Sequence, residues 1–175
     1  MGEATIDRVF LDCSVRRLRL QASRIRDCLG RLDAAQVWLR GCDNENAIGN
    51  LVLHLCGNVR QWILSGVGGA PDHRERDREF SARGGASPAE LTAILDQTVT
   101  EAAAVLNGVP ANRLLQSVKI QGYEQTVLEA VYHVVEHFSG HTGQVIFATR
   151  ALTAADLGFY AHLRSGSTGH SEKTP

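Results

Sequence analysis

Four stretches of the chain carry apolar residues at helical spacing, and Pro71, Pro88 and Pro110 lie outside or at the edges of them. Proline breaks a helix interior, so these three mark connections. The first stretch predicts a helix over about Ile6 to Leu29. Val9, Leu11, Val15, Leu18, Ile25 and Leu29 recur near the 3.6-residue period and lead on to Leu32. Arg16, Arg17, Arg19, Arg24 and Arg26 fill much of the other side, which reads as a solvated face. The second helix is expected from about Glu45 to Ser65, with Asp43 and Asn44 available as caps. Its apolar positions are dense, but a polar line runs through them. Asn50, His54 and Asn58 stand at i, i+4 and i+8, with Gln61 three further on. Such a line is either solvated or serves a buried polar site.

The third helix has the clearest start. Ser87-Pro88-Ala89-Glu90 offers Ser at the N-cap, Pro at the first helical position and Glu two residues later. Asn107-Gly108-Val109-Pro110 ends it. The fourth helix is expected from about Glu124 to Ala151, with Thr126 and Glu129 as a second capping box. Between the second and third helices, residues Gly66 to Ala86 alternate in charge without a clear period. They read as a solvated loop or short helix, with a lid over a pocket as the alternative. From Ala111 to Gly122, Leu114, Val118 and Ile120 allow a short extended piece, but no segment shows a strong strand period. Leu157, Phe159, Tyr160 and Leu163 predict a short terminal helix that packs back. The expected architecture is an all-α four-helix bundle forming one domain over residues 1–164, followed by a polar tail over 165–175. Bundles often build metal or cofactor sites from facing helices.

Composition narrows the classes. A chain of 175 residues is about one domain, and 43% hydrophobic with 21% charged residues excludes disorder throughout. A formal net charge of -1 exerts no general pull on nucleic acid or anionic membrane, and neither is an expected partner. No apolar run is long enough to span a bilayer. The first residues lack a basic region followed by an apolar one, so no secretory signal is expected. Cys13, Cys28, Cys42 and Cys56 form no CxxC pair, and a cytoplasmic protein with reduced thiols is expected.

The fourth helix carries the candidate chemistry. His133, His137 and His141 fall at i, i+4 and i+8, and Gln144 continues the line. Two histidines four apart can place both imidazoles on one metal ion, and the spacing leaves open which pair does so. His54, inside the polar line of the second helix, is the obvious further ligand. The alternative is a buried polar network in which the histidines satisfy one another.

These residues resemble a known family. Asn46-Ala-Ile-Gly-Asn-Leu-Val-Leu-His54-Leu-Cys-Gly-Asn-Val-Arg-Gln-Trp62, Gly68-Gly-Ala-Pro71 and His133-Val-Val-Glu-His137-Phe-Ser-Gly-His141-Thr-Gly-Gln144 are similar to the DinB/YfiT-like superfamily of metal-binding four-helix bundles. Within it, the chain resembles a bacterial branch known as a domain of unknown function. The resemblance covers roughly Val9 to Arg164. It implies a metal triad of His54, His137 and His141, holding a divalent transition metal such as Zn, Ni, Fe or Mn. It leaves His133, Asn50, Asn58, Gln61 and Gln144 as supporting or pocket residues. It also implies a small-molecule substrate, a low-molecular-weight thiol as co-substrate, and a homodimer. The leading expectation is a metal-dependent thiol S-transferase or hydrolase. A non-catalytic metal- or small-molecule-binding bundle and a metal-free structural bundle are the alternatives. No catalytic residue is identified, although Glu136, Arg60 and the Arg74, Arg76 and Arg78 loop are candidates to orient an anionic substrate.

Overall fold

A computed structural model describes residues 5–164, so the expected polar tail over 165–175 lies outside the described residues. Four long helices form the bundle: α1 (Ile6–Leu29), α3 (Ile48–Val59), α5 (Pro88–Gly108) and α6 (Val127–Thr153). Short helices α2 (Ala34–Val37) and α4 (Arg76–Ser81) lie in the connections, and α7 (Ala161–Arg164) follows the bundle. α1 packs against α5 and α6, and α3 packs against the same two, so α1 and α3 stand at opposite corners. Leu11, Val15, Leu18 and Ile25 of α1 and Leu51, Val52, Leu55 and Val59 of α3 belong to one buried core that includes Phe138. The arginine side of α1 is largely solvated, as its pattern predicts.

The capping boxes form where their sequences place them. The Ser87 hydroxyl accepts from the Glu90 amide at 3.2 Å, and the Glu90 carboxylate accepts from the Ser87 amide at 2.7 Å. Thr126 and Glu129 make the same pair, at 3.2 and 2.7 Å. Each satisfies two of the donors that a helix start leaves open.

Several boundaries differ from the sequence reading. The second helix starts at Ile48 rather than Glu45, and Asp43 and Asn44 lie outside it. Glu45 instead accepts from the Gly41 amide at 2.6 Å, closing a local turn. After Val59 the helix continues as a π-helix over Arg60–Val67, where Gly68 N–H donates to Ile63 C=O at 2.8 Å. Such wide turns cluster at functional sites. The fourth helix starts at Val127, because Tyr123–Thr126 pairs antiparallel with Ser117–Ile120 as β2 and β1. Their two-residue turn, Gln121-Gly122, has φ of 54° and 84°, as a primed hairpin turn requires. The buried Ile120 side chain fills the space a Cβ would need at Gly66, so the hairpin sits on the π-helix. Val9, assigned to the core stripe of α1, is 52% exposed near the start of the helix. At the other end of the chain Leu157 and Phe159 pack back, whereas Leu163 is 72% exposed.

The connection between α1 and α3 is clamped by Trp38. Its Nε1–H donates to Ala86 C=O at 2.8 Å, and its ring lies on Gly49, where a Cβ would come within 2.8 Å of ring carbons. Alanine raises helix propensity by about 1 kcal/mol over glycine. Overpacking against a held ring costs about 1–3 kcal/mol. Gly49→Ala is therefore expected to lower the melting temperature, which a thermal denaturation curve checks.

Candidate metal centre

The histidine site is assembled from α3, α6 and the connection that carries α4. His54 is buried on α3, while His137 and His141 are half-buried on α6. One nitrogen from each lies within 4.8 Å of the others. His54 Nε2 and His137 Nε2 are 3.0 Å apart.

The outer nitrogens fix how these rings present themselves. His54 Nδ1 is 2.9 Å from Glu79 Oε2, and an ionised carboxylate only accepts. Nδ1 therefore carries the proton, and the Nε2 lone pair points at the other histidines. The Arg74 guanidinium also approaches His54 Nδ1, at 3.1 Å, but both groups are donors there. The hydrogen of Arg74 Nη2 goes instead to Glu79 Oε2, at 2.9 Å. On α6 the His141 Nδ1–H donates to Gln144 Oε1 at 2.6 Å, which frees its Nε2.

Glu79 is 8% exposed and doubly held by Arg74, with Nε on Oε1 at 2.8 Å and Nη2 on Oε2. Arg74 Nη1 donates to Gln61 Oε1 at 2.9 Å, and Gln61 Nε2 donates to Asp72 at 2.7 Å. Gln121 at the hairpin tip also reaches Gln61. Gly57 makes room for this arrangement, since a Cβ there would run into the Glu79 carboxylate. Asn50 fastens the same segment from above. Its Nδ2 donates to Glu79 C=O at 2.8 Å and Ala82 C=O at 3.0 Å, while its Oδ1 accepts from Ala47 N–H and Arg40.

The line of residues singled out in the sequence thus divides. His54, His137, His141 and Gln144 come together. Asn50 and Gln61 do not face the histidines; they hold the segment that carries Glu79 and Arg74. Asn58 is buried one turn beyond His54, and its Oδ1 has no hydrogen-bond partner among the described residues. His133 lies against the Trp62 ring with centroids 4.0 Å apart and stacks on His137 at 5.5 Å. Of the charged candidates, only Arg74 reaches the histidines. Arg60 bonds Thr98, Arg76 sits over Phe80, Arg78 pairs with Glu75, and Glu136 is exposed. Glu79 was hidden in a stretch whose alternating charges read as a solvated loop. The signal that points to it is chemical: a metal-ligating histidine needs an acceptor for its outer N–H.

Burial, reinforced by His141, His54, His133 and Arg74, pushes His137 from its ordinary 6.5 down to about 3. Burial also lowers His141, against the opposing hydrogen bond to Gln144, and lowers His133. Burial alone would raise the Glu79 carboxyl, but the bonds from Arg74 and His54 outweigh it and hold it low. These groups act in one direction. An unfolded histidine takes up its proton near 6.5, whereas folded His137 stays neutral to about 3. Within that window the unfolded chain binds more protons, so stability falls as pH falls. The metal-free protein is expected to melt at progressively lower temperature from pH 7 to pH 4. His137→Gln is expected to flatten that slope, as followed by circular dichroism.

The donor set suits a divalent transition metal. Bonds of about 2.0–2.1 Å set at tetrahedral or octahedral angles place neighbouring nitrogens about 2.9–3.4 Å apart. The 3.0 Å between His54 and His137 falls in that range. Three imidazoles fit Zn, Ni, Fe or Mn and leave coordination positions free.

The sequence pattern of DUF1572, described as a protein of unknown function, matches residues 5–162. The chain belongs to the DUF1572 family. This DUF1572 chain also has solved structures similar to it in fold. A conserved protein of Enterococcus faecalis is 14% identical, with a TM-score of 0.68 over 82% of this chain and 97% of that one. A DinB-like protein of Bacillus subtilis, YjoA, is 13% identical, with a TM-score of 0.65 over 84% and 96%. A mutant of the mycothiol-dependent maleylpyruvate isomerase is 15% identical, with a TM-score of 0.55 over 77% and 60%. No curated protein matches the chain in sequence. The DUF1572 chain therefore has the DinB-like fold, with three histidines placed where they can hold a metal ion.

Proposed function

We propose that this protein binds a divalent transition metal through His54, His137 and His141 and uses it on a small molecule, as a thiol S-transferase or a hydrolase. The observation that carries this reading is the convergence of three imidazole nitrogens within 4.8 Å, two of them oriented from behind by Glu79 and Gln144. A metal held there supplies Lewis acidity and lowers the pKa of a thiol or water at its free positions. Burial disfavours the protonated forms of His137 and His141, and Glu79 fixes the tautomer of His54.

Thiol transfer is put first because one protein of this fold is a mycothiol-dependent isomerase. A low-molecular-weight thiol is then the co-substrate. A homodimer and a cytoplasmic location with free Cys28 and Cys56 belong to the same reading. Nucleic acid has no part in it, and no helix among the described residues is long and apolar enough to cross a membrane.

The test is elemental analysis of protein purified without a polyhistidine tag, followed by turnover assays. About one transition metal per chain is expected. Metal-dependent consumption of an electrophile that accelerates with added thiol supports transfer, and consumption without thiol supports hydrolysis. Metal without either activity overturns the catalytic part.

A further inference from the structure

A cavity of about 590 Å³ lies between α3, its π-helical continuation, α5 and the segment Ala70–Glu79. No histidine of the triad lines it. The Arg74–Glu79 pair forms its wall on that side, so it is separate from the metal centre. Its volume falls within the range of about 300–1,000 Å³ typical of small-molecule pockets. Leu53, Leu64 and Ile94 contribute apolar surface to the lining, beside the buried Arg74–Glu79 pair and other charged side chains.

The charges at this cavity are not equivalent. Glu79 is bound by Arg74 and His54, Asp72 by Gln61 and the Arg74 amide, and Glu75 by Arg78. Arg60 is less committed. Its Nε–H donates to Thr98 Oγ1 at 3.1 Å, while Nη2 meets Glu101 at 3.7 Å, beyond hydrogen-bond reach. Both members of that ion pair are more than one-third exposed, and such pairs are weak. A guanidinium with spare donors at the edge of a partly apolar cavity matches one carboxylate attached to an apolar body.

We propose that this cavity is a second binding site, for a small carboxylate with an apolar body. It does not depend on metal binding at the histidines. The test is a fluorescence titration of the folded protein with 1-anilinonaphthalene-8-sulfonate, followed by displacement with octanoate and with neutral 1-octanol. Saturable binding at one site is expected, with octanoate displacing the dye about ten-fold better than octanol. Ile94→Trp fills the cavity from α5. Ala70→Trp fills it from an exposed position that leaves the core intact. Each is expected to weaken dye binding about ten-fold or more. Arg60→Gln is expected to remove the preference for octanoate while leaving octanol unchanged. The His54→Ala, His137→Ala, His141→Ala triple variant is expected to bind the dye as the native protein does. Absence of saturable binding, or binding unchanged in both tryptophan variants, overturns the site. A retained preference in Arg60→Gln overturns the carboxylate assignment. Loss of dye binding in a folded triple variant moves the ligand to the histidines and overturns the separation of the two sites.

Discussion

Alanine at His54, His137 or His141 is expected to empty the metal centre, while alanine at His133 leaves it loaded. Each of the three supplies one nitrogen to the convergent set. Losing a single imidazole leaves two, which no longer define a closed face around a cation. Changing only the partner behind a ligand already costs about 10–100-fold in affinity. Removing the ligand itself is expected to cost more, so metal content should fall from about one per chain to below about 0.1. His133 lies one turn earlier on α6, and its ring packs on Trp62 and on the His137 ring while none of its nitrogens belongs to the convergent set. Its removal forfeits ring packing, worth about 0.5–1.5 kcal/mol, and should appear as a modest fall in melting temperature. Elemental analysis of the four variants beside the native protein checks this. A metal-free His133→Ala protein, or a loaded His54→Ala protein, would show that the ligands are chosen differently.

The contrast among these histidines also shows what could be read in the sequence. Register on a helix is local, so the alignment of His133, His137, His141 and Gln144 follows from spacing alone. The capping boxes at Ser87 and Thr126 were legible for the same reason, because each lies within four residues, although the fourth helix was expected from about Glu124. Which pair on α6 meets His54 depends on how α3 and α6 lie against each other, and only the family resemblance pointed to it. The wider turn at Arg60–Val67 was not legible, since no residue in it marks a change from an α-helix. The first strand was legible only as a short extended piece and its partner not at all, because the strands are four residues each and their turn is Gln-Gly, a weaker signal than Asn-Gly. In the segment from Asp72 to Glu79 a short helix and Arg74 were legible, but Glu79 was not. The charges of this segment look solvated in sequence, but Asn50, Gln61 and Gly57 on a distant part of the chain draw Arg74 and Glu79 inward.

Glu79→Ala is expected to damage stability and metal binding together, and the two effects can be separated. The Arg74 side chain is only 4% exposed, and Glu79 is its carboxylate partner. Breaking a buried ion pair from one side costs about 3–5 kcal/mol, because the remaining charge stays buried without compensation. In a chain of this size that corresponds to a fall of about 10 °C in melting temperature. The same change strips His54 Nδ1 of its acceptor, so the ring loses the tautomer and orientation that aim Nε2 at the other histidines. Metal affinity is expected to fall about 10–100-fold. Gly57→Ala should shift both quantities in the same direction, since a methyl group there displaces the carboxylate. Replacing both members, as in Arg74→Leu with Glu79→Leu, removes the uncompensated charge. Apolar substitution of a whole buried pair is often neutral or stabilising. The double variant is therefore expected to recover most of the lost melting temperature without recovering metal affinity, as measured by metal-competition titration. Recovery of both would mean that Glu79 serves the fold alone. Recovery of stability without affinity identifies it as the group that positions His54.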